Sequence, residues 1–202
     1  QSVWEVRYLA VFLGPLLMVL SVALARGGQA AIGAVAVAAF FSAPIAVKAE
    51  PYRKSNVREV ALGMAPSLRP GDLVVSDFGR TPVLAHYLPD GLRYAESTGP
   101  VDDPFVSDQR EGAARLRDTD PLVSLGQPLS DLSPGAKVLV VCPQIRDELN
   151  DDAPEFLVLI PKRCNESLDV VRGDSRFRLD VSVTDDSNGF NPVNAFLFTN
   201  LG

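Results

Sequence analysis

Histidine is nearly absent from this chain: His86 stands alone in 202 residues, beside two cysteines, two methionines and one tryptophan. A single imidazole excludes a histidine metal site, which needs several nitrogen donors around one ion. No CxxC pair, Walker loop, GxGxxG turn or GxSxG elbow occurs, so the phosphate cradle, dinucleotide fingerprint and hydrolase nucleophile that those motifs build are not encoded. His86 lies in VLAHYLP and reads as a surface or cap residue. Asp77-Phe78-Gly79 spells a kinase tripeptide without any other kinase element, and reads as a strand end and turn.

Basic residues are also short, at 19 against 25 acidic ones, for a net charge of −6. Lys and Arg are not clustered as phosphate neutralisation requires, which argues against nucleic acid as partner. The acidic excess lies after Lys54, in a region long enough for one ordinary domain. Its carboxylate pairs Asp102-Asp103, Asp147-Glu148 and Asp151-Asp152 have the chemistry of a hard-cation site but fall in loops, where such groups are ordinarily solvated. Nothing in this region puts a nucleophile beside a base, so no catalytic residue is assigned within the chain.

Long hydrophobic runs are what the chain has in plenty. Between Arg7 and Arg26 lie 18 uncharged residues, and Gly27 to Val47 adds 21 more. A helix needs roughly 20 apolar residues to cross about 30 Å of hydrocarbon, and both runs reach that length. The first run also fits a signal peptide, through the small residues of its ALARGG flank, and the two together fit a buried hairpin. The second run follows so closely that a transmembrane helical hairpin is the expectation for residues 1–54, with residues 55–202 as an exterior domain. The first residue is Gln1, so a longer protein is expected upstream. Basic residues flanking the second run would place both ends in the cytoplasm, unless an upstream membrane region has already set the topology.

Before the first run stands Trp4-Glu5-Val6-Arg7-Tyr8. This cluster reads either as an interfacial anchor or, with Arg7 turned to a cleft, as a contact for a lipid phosphate. After the connector KAEPYRKS, Asn56 with Glu59 has the spacing of a capping box, and Val57, Val60, Ala61 and Met64 follow at helical intervals. Asp72 to Ser76 reads as a buried strand, Pro82 to Tyr87 as a short helix, Leu92 to Tyr94 as the start of a strand and Ser107 to Leu116 as an exposed helix. Lys137 to Cys142 is the strongest strand signal. Glu155 to Val171 is a helical pattern interrupted at Pro161, Phe177 to Val183 alternates like a half-buried strand, and Val193 to Phe198 is a last strand. Helices alternating with short strands predict a small three-layer-like α/β domain. Cys142 and Cys164 either pair, as an oxidising exterior would favour, or remain two buried thiols.

The segments WEVRYLAVFLGPLL, KSNVREVALGMAPSLRPGDLVVS and PVLAHYLPDGLRYAESTGPVDDP resemble the C-terminal end of actinobacterial integral-membrane glycosyltransferases of the GT-C class, akin to protein mannosyltransferases and aminoarabinose transferases. The likeness covers about the first 145 residues. It implies a cell-membrane enzyme that moves a sugar from a polyprenyl-phosphate donor to an extracytoplasmic acceptor. Its catalytic carboxylate, and any divalent cation, would belong to the region upstream of Gln1. The resemblance places Arg7 and Tyr8 at the carrier phosphate and the α/β domain outside, capping the site or binding acceptor. The alternative is a two-span membrane-anchored sensor or binding protein without enzymatic activity.

Overall fold

The computed structural model describes residues 18, 21–22, 25–28, 32–33, 36, 55–107, 110–144, 153–184 and 192–202. The chain divides into two units, Gln1–Tyr52 and Arg53–Gly202. In the first, the described positions are helical.

The second unit is a mixed α/β sheet between helices. Its elements run α1 (Val57–Met64), a 3-10 turn (Ala65–Ser67), β1 (Leu73–Ser76), α2 (Thr81–Tyr87), β2 (Arg93–Glu96), β3 (Gly99–Val101), α3 (Gly112–Asp118), α4 (Pro121–Ser124), α5 (Gly126–Ser130), β4 (Lys137–Pro143), α6 (Glu155–Gly173), β5 (Phe177–Val183) and β6 (Val193–Asn200). The strand order is β3-β2-β1-β4-β6-β5. β1 pairs in parallel with both β2 and β4, whereas β3 lies antiparallel on β2, and β6 lies antiparallel between β4 and β5.

β1 and β4 are unbroken apolar runs because they are covered on both faces. Leu73, Val75, Val138 and Val140 meet Leu125, Leu129, Leu168 and Val171 from α4 to α6 on one face. Val74, Leu139 and Val141 meet Val57, Val60, Met64 and Leu84 from α1 and α2 on the other. Alternation along each strand divides the core in this way, and each fully buried Val or Leu contributes about 1.5–3 kcal/mol relative to exposure. Buried Asp72 ties the two strand starts together, accepting from the Arg69 amide at 2.8 Å and from the Lys137 amide at 2.7 Å.

Several expectations change. α6 runs unbroken through Pro161, since a buried stripe of Pro161, Cys164, Ser167, Leu168 and Val171 holds the helix on the sheet and offsets the lost backbone bond. Arg163 on α6 donates to the carbonyls of Leu116 and Arg117 at 2.7 and 2.9 Å, which satisfies the end of α3. β5 buries only Phe177, since among the described residues it is the outer strand of the sheet.

The expected fold of two transmembrane helices followed by a small extracytoplasmic α/β domain is corrected. Among the described residues no helix is long and apolar enough to cross a membrane. The longest, α6, carries Glu155, Lys162, Arg163, Glu166, Asp169 and Arg172, charges that hydrocarbon would not accept. Most of the stretch from Tyr8 to Val47 lies outside the described residues.

Candidate functional site

The site is built where the carboxyl ends of β1 and β2 meet. These strands lie in parallel register with Ser76 opposite Glu96, so both side chains arrive at the same end of the sheet. Open α/β sheets bind ligands at that end, because the loops there diverge and leave a crevice.

After β1 the chain turns sharply through Asp77-Phe78-Gly79-Arg80. The buried Asp77 carboxylate accepts from the Gly79 amide at 2.9 Å and from Arg80 Nη1 at 2.6 Å. Its carbonyl accepts from the amides of Arg80 and Thr81, which opens α2. The turn delivers Thr81 back onto the strand ends, where its hydroxyl lies 2.7 Å from Ser76 Oγ and 2.9 Å from Glu96 Oε1. A Ser76–Thr81–Glu96 chain of hydrogen bonds results, with Ser76 fully buried and Glu96 only 6% exposed.

Glu96 borders a cavity of about 680 Å³. Phe78, Val101, Asp102, Arg110, Glu111 and Arg115 line it as well. Among the described residues the Glu96 carboxylate has one hydrogen-bond partner, Thr81, and no oxygen of it is both buried and unpaired. The residue is among those lining the cavity. Burial pushes its pKa up, the Thr81 hydroxyl pulls it down, Asp77 adds to the rise and Arg115 opposes it. Phe78 forms one wall from a buried position, its ring 5.0 Å from the Arg115 guanidinium carbon and 6.4 Å from the Phe156 ring. Among the lining residues, Glu111 takes a left-handed backbone conformation with φ of 53°, a costly state for a residue with a side chain.

The residues singled out from sequence fall elsewhere. Arg7 and Tyr8 lie outside the described residues. Cys142 on β4 and Cys164 on α6 are joined in a disulfide, Cα atoms 5.5 Å apart, in the core beneath α6 and not at the cavity. Asp103 accepts from the Phe105 amide and shapes a turn. Among the described residues no group of three or more His, Cys, Asp or Glu is placed to hold a metal ion. His86 is exposed on α2 and rests edge-on against Tyr87. Sequence reasoning missed Glu96 and Thr81; the available signal was a carboxylate ending the strand that follows a strand-turn-helix unit, twenty positions beyond Ser76.

No family model matches the chain, and no curated protein matches it. Among solved structures it is similar to a candidate rRNA methylase from Clostridium thermocellum, at 13% identity and a TM-score of 0.35 over 73% of this chain and 98% of that one. It is similar also to the O-methyltransferase TomG from Streptomyces achromogenes in complex with SAM, at 15% identity, a TM-score of 0.35 and coverage of 73% and 80%. A candidate O-methyltransferase from Klebsiella pneumoniae gives 14%, 0.36, and coverage of 73% and 80%. Scores this low carry no argument about what this chain binds or does.

The resemblance to GT-C glycosyltransferases is nevertheless corrected. No family model or curated protein matches, and among the described residues no helix is long and apolar enough to cross a bilayer. The polyprenyl-phosphate sugar donor, the membrane-lipid partner, the cell-membrane and extracytoplasmic placement, and the two-span sensor alternative are withdrawn with it.

Proposed function

We propose that the unit 53–202 binds a small polar molecule bearing two adjacent hydroxyls, such as a nucleoside, at the carboxyl ends of β1 and β2. The observation that carries this reading is Glu96: a nearly buried carboxylate, held on one oxygen by Thr81, in a residue that lines the cavity. A carboxylate at this place accepts from a ribose diol in sheets that bind nucleotides, which is an argument from architecture. Phe78 and Arg115 offer apolar and cationic surface to the rest of such a ligand. Ser76 is fully buried and bonded to Thr81, so its hydroxyl is not presented to the cavity.

Calorimetric titration of the 202-residue chain with adenosine and with S-adenosylmethionine tests this. The two probes share the diol and differ in charge. Glu96→Gln keeps the Thr81 bond but turns an amide donor toward the hydroxyls, and is expected to weaken binding roughly ten- to a hundred-fold, the worth of a hydrogen bond to a charged group. Removing both hydroxyls from the probe, as in 2′,3′-dideoxyadenosine, should do the same. Binding that survives either change, or no binding by any probe, overturns the reading.

A further inference from the structure

We propose that the outer strand β5 pairs antiparallel with β5 of a second copy of this chain, centred on Leu179. Among the described residues β5 ends the sheet, so one of its edges has no strand neighbour. Its apolar side chains are part-exposed on both faces: Leu179, at 45%, on the face of Phe198, and Val181 and Val183, at 43% and 39%, on the face of Leu197 and Ala195, where they border a groove beside α1. An edge of this kind is a template for another strand.

The charges select which strand. Arg178 and Asp180 flank Leu179; within one chain they meet at 3.2–3.3 Å, with the arginine two-thirds exposed, while the other Asp180 oxygen accepts from the Thr199 hydroxyl of β6. In an antiparallel self-pair centred on Leu179, Arg178 of each copy lies opposite Asp180 of the other. Two attractive cross-strand pairs then form about the two-fold axis. The bulge agrees with the same register. Leu179 faces Phe198 and Val181 faces Leu197 on β6, which leaves Asp180 as the extra residue. Set opposite Arg178 of the second copy, that extra residue is absorbed symmetrically, and pairing resumes with Ser182 against Phe177. Both of those side chains belong to the α6 face, since they oppose Phe196 and Asn200 on β6. A foreign flat strand has neither the matching bulge nor the matching charges, and against it the same features blunt the edge.

Sedimentation equilibrium of the 202-residue chain, over a wide concentration range, is expected to show a reversible dimer. Arg178→Asp sets aspartate against aspartate and Asp180→Arg sets arginine against arginine; each is expected to weaken the dimer roughly ten-fold. Mixing the two variants places every acid opposite a base and is expected to restore a heterodimer. That arm also separates lost pairing from lost folding, because unfolded variants would not complement each other; circular dichroism of each variant confirms it. Under oxidation Leu179→Cys should link two chains and Val183→Cys, which faces Arg176, should not. A monomer at every concentration, folded variants that fail to complement, or a dimer linked through Val183→Cys and not Leu179→Cys overturns the proposal.

Discussion

Asn56 grips Val193 by both of its backbone groups: Asn56 Nδ2 donates to the Val193 carbonyl at 3.0 Å, and the Val193 amide donates to Asn56 Oδ1 at 2.7 Å. Residues 137 apart in sequence are thereby paired as two strand residues would be. A side-chain amide can do this because it carries a donor and an acceptor in one plane, like a peptide group. The capping-box expectation put the Asn56 side chain on its own helix. It makes no cap bond there; Ser55 Oγ accepts from the Val57 amide instead.

Asn56→Ala is expected to destabilise the fold by about 2 kcal/mol, from two partly buried hydrogen bonds at about 1 kcal/mol each. Asn56→Asp keeps the acceptor and sets a charged oxygen against the Val193 carbonyl, so it should cost at least as much. Urea unfolding of each variant measures both. An alanine variant within error of the wild type would show that water replaces the pairing.

Glu96 makes stability depend on pH in a defined direction. Its pKa is raised in the fold, chiefly by burial, above the ordinary 4.5. Between the unfolded and the folded value the native state binds more protons, so stability is fully present below about pH 4.5 and falls as pH rises through the folded value. Glu96→Gln cannot ionise. Its stability relative to wild type is therefore expected to be more favourable at pH 7 than at pH 4, as thermal unfolding at the two values would show; the opposite sign would mean that the site favours the carboxylate.

Tyr94 acts at the other end of the scale. Burial, and then the nearby charge of Asp90, push its phenol up to about 12. The phenolate is disfavoured in the fold, so its contribution is present below pH 10 and is lost as pH climbs toward 12. Ultraviolet titration is expected to show one tyrosine ionising well after an ordinary phenol, and Tyr94→Phe to remove that step. A Tyr94→Phe titration identical to wild type would reassign it.

How much was legible follows from where each signal resides. Strands covered on both faces announce themselves as apolar runs, so Leu73–Ser76 and Lys137–Pro143 could be read directly. Phe177–Val183 alternates like a half-buried strand, yet its exposure is set by its place at the sheet edge, which no local pattern encodes. Pro161 reads as a breaker because propensity is local, whereas the packing that keeps α6 whole comes from strands distant in sequence. Glu96 carried only a weak signal, its place at the end of the second strand, for a related reason. Its role depends on Ser76 and Thr81 meeting it across a parallel register, and parallel pairing has no short-range signature.

The Cys142–Cys164 bond closes a loop of 22 residues between β4 and α6. In the chain-entropy account, a loop of this length restricts the unfolded state by about 3 kcal/mol. Cys142→Ser is expected to lower stability by about that amount, and unreduced wild type to migrate faster than the variant in a denaturing gel. Equal mobility would show that the thiols are free, in which case the serine should cost only a small loss of packing.

Gly112 connects the helical packing to the cavity wall. A Cβ at this first residue of α3 would stand 2.6 Å from Phe156 Cε2, closer than carbon atoms approach without one of them moving. Phe156 is half-buried, so its ring can swing outward, but it then leaves Phe78, whose own face borders the cavity. Alanine gains about 1 kcal/mol of helix propensity over glycine, while overpacking costs about 1–3 kcal/mol. Gly112→Ala is therefore expected to destabilise by about 1 kcal/mol and to shift the Phe78 ring resonances. With Phe156→Ala in place there is no ring to displace, so adding Gly112→Ala should become neutral or stabilising. If the two changes add independently, the glycine is not kept small by Phe156.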